Sequence, residues 1–123
     1  MMQLMYSPAS PYVRKVRVVL HETRQTDEVE LVAVATTPTQ PAPELAAAHP
    51  TCKIPALVRP DGCTLYDSRV ITRFLDARSG GRLYPDSHIW ETLTLEATGD
   101  AIMDAATLIV YEGRCRPENT QDK

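Results

Sequence analysis

Three short segments of this 123-residue chain put chemically useful groups at the starts of predicted elements. Ser10-Pro11-Tyr12 sets a hydroxyl at a helix start, where unpartnered backbone N–H groups and the helix dipole favour negative charge. Ser7, just after the preceding strand, is the rival hydroxyl. Lys53-Ile54-Pro55 brings a cation and a proline to the beginning of a strand. Asp67-Ser68 sets an acid and a hydroxyl at a second helix start, again a place that favours anions. Each segment also has a purely structural use, since Ser and Asp cap helices and X-Pro opens strands. Other chemistries lack a motif. There is no GxGxxG, no Walker loop and no Ser-His-Asp order. Cys52, Cys63 and Cys115, with His21, His49 and His88, are scattered without ligand spacing, so no metal site is expected.

The elements that must position these groups can be read along the chain. Residues 3–6 predict a short strand. Ser10 suits an N-cap, Pro11 the first helical position, and Val13, Val16, Val19 and Leu20 recur at helical spacing until about Gln25. Residues 29–34 predict a strand buried on both faces, by their length and β-branched content. A polar loop with three prolines (36–43) leads to a short helix over 44–49, ended by Pro50. Residues 55–58 and 64–66 flank the turn signal Pro60-Asp61-Gly62 and predict an antiparallel hairpin. The helix opened by Asp67-Ser68 carries the stripe Val70, Ile71, Phe74, Leu75 and stops at Gly80-Gly81. This βαβ-ββα order makes an α/β fold: a mixed four-stranded sheet with helices on both faces. From Ile89 to about Tyr111 the pattern is wholly helical, with a stripe of Trp90, Leu93, Ala97, Ala101, Met103 and Leu108 that needs cover. Residues 112–123 read as a frayed polar tail.

Composition narrows the classes. Thirteen Lys+Arg against sixteen Asp+Glu give a net charge of −3, against nucleic-acid binding. No apolar run approaches a bilayer's thickness, and Met1 to Tyr6 lack the parts of a signal peptide, so no membrane and a cytoplasmic location are expected. The odd cysteine count without CxxC argues against a disulfide framework.

Together the three segments resemble the glutathione S-transferase family, in the bacterial branch with Ser or Cys at the active site. Ser10-Pro11-Tyr12-Val13-Arg14-Lys15-Val16-Arg17 looks like the family's first helix. His49-Pro50-Thr51-Cys52-Lys53-Ile54-Pro55-Ala56-Leu57 is similar to its Asn-Pro-Leu-Gly-Lys-Val-Pro-Ala-Leu segment, and Leu65-Tyr66-Asp67-Ser68-Arg69-Val70-Ile71 resembles its Leu-x-Glu/Asp-Ser stretch. The resemblance implies a thioredoxin-like glutathione-binding domain over 1–80, a linker over 81–87, and the truncated start of an all-α second domain over 88–123.

It also implies roles. Ser10 would be catalytic, donating a hydrogen bond to the glutathione thiolate, with the helix dipole helping to lower the thiol pKa. Ile54-Pro55 would be cis, letting the Ile54 backbone pair with the tripeptide, and Lys53 would reach the glycyl carboxylate. Ser68 would take the γ-glutamyl carboxylate and Asp67 its ammonium. Asp100 would approach that ammonium across a homodimer interface, and Met103, Thr107 and Tyr111 would line the pocket for a hydrophobic electrophile. The implied activity is glutathione transfer in detoxification, with glutathione as co-substrate and no other cofactor. A binding or regulatory module acting through protein partners is the alternative, favoured by the short helical region. Cys52 departs from the family pattern, which has Gly there.

Overall fold

In the computed structural model, which describes residues 1–122, the chain divides into one unit over Met1–Pro85 and a second that begins at Asp86. The first is built around strand β1 (Met2–Tyr6), with Met2 and Leu4 buried and Gln3 exposed, the period-2 alternation of a strand. Helix α1 (Pro11–Glu22) crosses over from β1 to β2 (Val29–Ala33), which pairs parallel to β1 from Met2↔Val29 to Tyr6↔Ala33. On the other side of β1, strand β3 (Ala56–Val58) runs antiparallel, with Leu4↔Leu57 and Met5↔Ala56, and β4 (Thr64–Leu65) runs antiparallel to β3. The spatial order β2-β1-β3-β4 makes the expected mixed four-stranded sheet of a thioredoxin-like fold.

The sheet buries both faces, and the register decides what each face meets. Leu4 and Leu57, directly paired, point toward α1 and α3 (Ser68–Arg78), where Val16, Leu20, Ile71 and Leu75 close the larger core. Met5 and Ala56, one residue along, point the opposite way and meet Val34, Ala42 and Leu45 around α2 (Pro43–Ala48). Each fully buried Leu, Ile or Val here contributes on the order of 1.5–3 kcal/mol. Strand β2 corrects the expectation of burial on both faces. It is an edge strand whose Glu30, Leu31 and Ala33 are exposed, so its β-branched composition signalled extension and not depth.

Polar groups tie the helix ends into this core. α1 ends in a Schellman motif. Gln25 N–H donates to Leu20 C=O (2.9 Å) and Arg24 N–H to His21 C=O (3.1 Å), with Arg24 at φ +56°. The buried Gln25 side chain donates to Leu75 C=O (2.7 Å) and accepts from Arg78, whose other nitrogen pairs with Glu28 at 2.7 Å. Near the end of α3 the buried Asp76 carboxylate accepts from the N–H groups of Leu83 (2.9 Å) and Tyr84 (3.0 Å), fixing the chain that leaves the unit.

The second unit consists of a 3-10 turn (Asp86–His88), helix α4 (Ile89–Cys115) and a 3-10 turn at Glu118–Thr120. Two expectations are corrected here. The helix continues past Tyr111 to Cys115, and the tail folds back on it. Arg116 pairs with Glu112 (3.0 Å), Gln121 donates to the carbonyls of Gly113 and Arg116, and Asp122 N–H donates to the Glu112 carboxylate (2.8 Å), so the Gly113 carbonyl of the last turn is capped. Along α4 the predicted stripe is left largely exposed, as its need for cover implied. Leu93, Glu96, Asp100, Met103, Thr107 and Tyr111 are half-buried, whereas Trp90, Ala97, Ala101 and Leu108 are exposed. Among the described residues no helix is long and apolar enough to cross a membrane.

Candidate functional site

The topology of the first unit brings three segment ends to one edge of the sheet. α1 starts just after β1 ends. β3 runs antiparallel to β1 and so begins at that same edge, and β4, antiparallel to β3, ends there. Ser10, Ile54-Pro55 and Asp67-Ser68 therefore share one edge, although the second and third segments lie 44 to 58 positions beyond Ser10 in sequence. Electrostatics agrees with this placement, because the Lys15 ammonium, early in α1, acts on the Asp67 carboxylate at the head of α3.

Ser10 occupies the N-cap of α1 with extended backbone angles (φ −76°, ψ 121°), and its Oγ accepts from Val13 N–H at 3.2 Å. A hydroxyl that accepts this bond still has its own proton to give. Ser7 lies beside it: its carbonyl accepts from Ser10 N–H (3.2 Å) and its Oγ from Ala9 N–H (3.4 Å). Both serines line an open cleft of about 310 Å³ that runs along the outer face of α1 past Arg14, Arg17, Val18 and His21. Asp67 and Ser68 do not line that cleft. Ser10 thus stands between the α1 cleft and the sheet edge.

Asp67 caps α3, its Oδ1 accepting from Arg69 N–H at 3.0 Å. The Arg69 guanidinium grips the same carboxylate with both arms, at 3.2 Å to Oδ1 and 2.9 Å to Oδ2. The Arg69 side-chain bonds hold the Asp67 carboxyl below the ordinary carboxylate range. Its backbone bond and Lys15 add to this, and partial burial opposes it. Ser68 is only 3% exposed, so what it can present to a ligand is confined to the first-turn rim of the helix.

The peptide bonds Ile54–Pro55 and Tyr66–Asp67 are both cis; the first was expected, and the second had no signal in the sequence. Lys53 is exposed, while Pro55 is buried and Ile54 packs against the smaller core. Cys52 adopts φ +54°, the left-handed conformation that glycine takes without penalty. The family's Gly at this position thus has its backbone reason preserved here under a cysteine. Asp100, with Met103, Thr107 and Tyr111, belongs to α4 and the second unit.

Three residues at the sheet edge were missed by sequence reasoning as more than segment members. His49 is buried and stacks on Tyr66 with ring centroids 3.6 Å apart and planes 24° apart. Its Nδ1 accepts from Thr51 N–H at 3.1 Å, which puts the neutral ring's proton on Nε2. Burial lowers its pKa below the usual imidazole value, and Lys53 adds to that, against a raising effect of Asp67. Arg69, the third, was signalled only by its place two residues after an N-cap acid.

Residues 9–78 match the sequence profile of the glutathione S-transferase N-terminal domain, more than half of the chain. The chain belongs to the glutathione S-transferase family. Among solved structures, a glutathione transferase family member from Pseudomonas fluorescens Pf-5 with bound glutathione superposes with a TM-score of 0.95 at 45% identity, over 99% of this chain and 61% of that one. A glutathione S-transferase from Methylobacillus flagellatus KT with glutathione bound superposes at 0.82, with 42% identity over 100% of this chain and 60% of the other. The chain therefore spans about three fifths of the length of these relatives. No curated protein sequence matches it.

Proposed function

We propose that the first unit binds glutathione at the sheet edge and holds it as the thiolate, for attack on a small electrophile with an apolar body or on a mixed disulfide. The observation that supports this reading is the convergence of three segment ends, Ser10, Ile54-Pro55 and Asp67-Ser68, on one edge. The charges suit the ligand. Glutathione carries two carboxylates and one ammonium, and the edge carries the cations Lys53 and Arg69 beside the single acid Asp67, with Lys15 close enough to influence it. The glutathione bound in the two solved relatives supports the same assignment.

In this reading Ser10 is the catalytic residue. Its O–H donates to the sulfur while the first turn of α1 adds the favourable end of its dipole, and both stabilise the thiolate over the thiol. The thiol proton leaves to solvent; with an electrophile the sulfur then bonds the electrophilic carbon and the electron pair departs with the leaving group, and with a mixed disulfide it bonds one sulfur while the S–S bond breaks and the other sulfur leaves as a thiolate. Ile54 pairs its backbone with the peptide, Lys53 meets the glycyl carboxylate, and Ser68 and Asp67 take the γ-glutamyl carboxylate and ammonium. The α1 cleft, lined by Ser10 at one end and by Val18 farther along the helix, takes the electrophile. Asp100 reaches the ammonium across a homodimer interface. The free thiols Cys52, Cys63 and Cys115 suit a reducing, cytoplasmic setting, and attack on electrophiles suits a part in detoxification.

Calorimetric titration of the purified chain with glutathione tests the reading. Saturable heat with Kd below about 1 mM is expected, worth roughly 4 kcal/mol or more of binding free energy. No heat at that concentration overturns the reading and its residue assignments together.

A further inference from the structure

We propose that the His49–Tyr66 stack is a positioning clasp that fixes the two halves of the glutathione groove relative to each other, and so sets affinity for the tripeptide without being part of the assigned ligand contacts. The inference rests on the glutathione reading above.

The sheet itself leaves this job undone. β3 and β4 pair at only two positions, Leu57↔Leu65 and Val58↔Thr64, and the ladder stops before it reaches the site. Beyond Leu57 toward the groove lie Ile54 and Pro55; beyond Leu65 lie Tyr66 and Asp67. Nothing in the backbone ladder holds those two stretches together. The stack lies at this gap. Tyr66 is bonded directly to Asp67, and His49 starts the segment that runs through Lys53 to Pro55.

His49 is itself held from three directions. Its N–H donates to Leu45 C=O (2.8 Å) at the end of α2, its carbonyl accepts from Cys52 N–H (2.9 Å), and its Nδ1 accepts from Thr51 N–H (3.1 Å). The ring is only 2% exposed, whereas Tyr66 is 38% exposed. A buried, well-anchored ring thus carries a more exposed one, and through it the residue that caps α3. Stacked aromatic pairs are worth enough to change an equilibrium constant by about 3- to 10-fold.

Tyr66→Leu is the primary test, because Tyr66 is exposed enough for the fold to tolerate the change. Glutathione affinity is measured by calorimetry on the full chain, beside thermal unfolding. Tyr66→Leu and His49→Leu are expected to weaken binding about 3- to 10-fold, while Tyr66→Phe and His49→Phe, which keep two stacked rings, stay within about 2-fold of the parent. In an Asp67→Ala background, Tyr66→Leu should add less than 2-fold, since the clasp acts through the segment that Asp67 heads. A structural role alone would lower the melting temperature without this non-additivity. If the parent binds glutathione and Tyr66→Leu binds it equally, the clasp is overturned and the glutathione reading stands. If the Phe variants lose as much as the Leu variants, stacking is not the cause and the clasp is likewise overturned. If the parent fails to bind, both fall.

Discussion

The two tasks assigned to Ser10, capping α1 and donating to a thiolate, use different parts of one hydroxyl and can be separated by substitution. The cap uses a lone pair, accepting Val13 N–H at 3.2 Å. Activation uses the proton. Ser10→Ala removes both; Ser10→Asp keeps an acceptor at the N-cap but has no proton to donate near neutral pH and adds a negative charge beside the sulfur. For Ser10→Ala the lost cap is expected to cost about 1 kcal/mol, which lowers the melting temperature by roughly 4 °C for a domain of this size. A hydrogen bond to a charged group contributes about 1.5–3 kcal/mol, so the pKa of bound glutathione should rise by about 1–2 units, toward or past the free thiol value near 8.5. For Ser10→Asp the stability should stay within about 0.5 kcal/mol of the parent, while the bound thiol pKa rises at least as far as in Ser10→Ala.

The assay is thiolate absorbance of the glutathione complex against pH, read beside thermal unfolding of the same samples. The diagnostic result is the Asp variant: stable, yet unable to hold the thiolate. An unchanged thiol titration in Ser10→Ala would refute the donor role outright and leave Ser10 as a cap. A thiol pKa raised in Ser10→Ala but not in Ser10→Asp would refute the separation, because it would tie thiolate stabilisation to an intact helix start and not to the proton.

Three further predictions test the frame around the site. Cys52→Gly should stabilise the protein by about 0.5 kcal/mol, because relief of the left-handed strain at φ +54° (about 1–2 kcal/mol) exceeds the added chain entropy of glycine; a drop of more than 1 kcal/mol in thermal unfolding would mean the cysteine side chain holds the loop. Stability should fall as pH drops below 6.5, since His49 prefers its neutral form when folded: the unfolded chain takes up the proton first, the loss accumulates at up to about 1.4 kcal/mol per pH unit until the lowered folded pKa is reached, and His49→Phe should flatten that part of the profile in denaturant titrations. The exposed apolar side chains of α4, among them Trp90 at 75% and Leu95 at 74%, should drive self-association, so sedimentation at micromolar concentration should give a species larger than a monomer, and a clean monomer would contradict the homodimer.

What the sequence made legible was whatever is written locally. Ser10-Pro11 and Asp67-Ser68 are N-cap signatures, and both helices start where those residues set them. The turn at Pro60-Asp61-Gly62 placed the hairpin, and the change in composition after Pro85 marked the passage to the helical unit. What stayed hidden depends on distance in sequence. β2 was taken for an inner strand because β-branched residues report extended backbone, while edge position is decided by β1 pairing with β3 on its other side. The α4 stripe was legible as apolar side chains in need of cover, and Trp90, Ala97, Ala101 and Leu108 do stand exposed; the half-burial of Glu96, Asp100 and Thr107 had no signal in hydropathy. The continuation to Cys115 was missed because its last turn is held by Gln121 on the Gly113 carbonyl and by Asp122 N–H on the Glu112 side chain, polar residues that look like a solvated tail until the chain turns back.

The site follows the same division. A residue type with a local signature can be found from sequence; a residue that acts by bridging segments cannot, until the strands are in register. His49 and Tyr66 are 17 positions apart and neither belongs to a recognisable pair, yet β3 and β4 stop pairing just short of the place where those rings meet. A two-residue ladder leaves the segments beyond it unpaired, and it is there that the proposed clasp would act. Arg69 makes the complementary point for charge. Its fork holds both Asp67 oxygens, so an incoming ammonium would have to share that carboxylate. On the proposed reading, a γ-glutamyl end would meet an acid and a cation together at this edge, where a simple amine would use the acid alone.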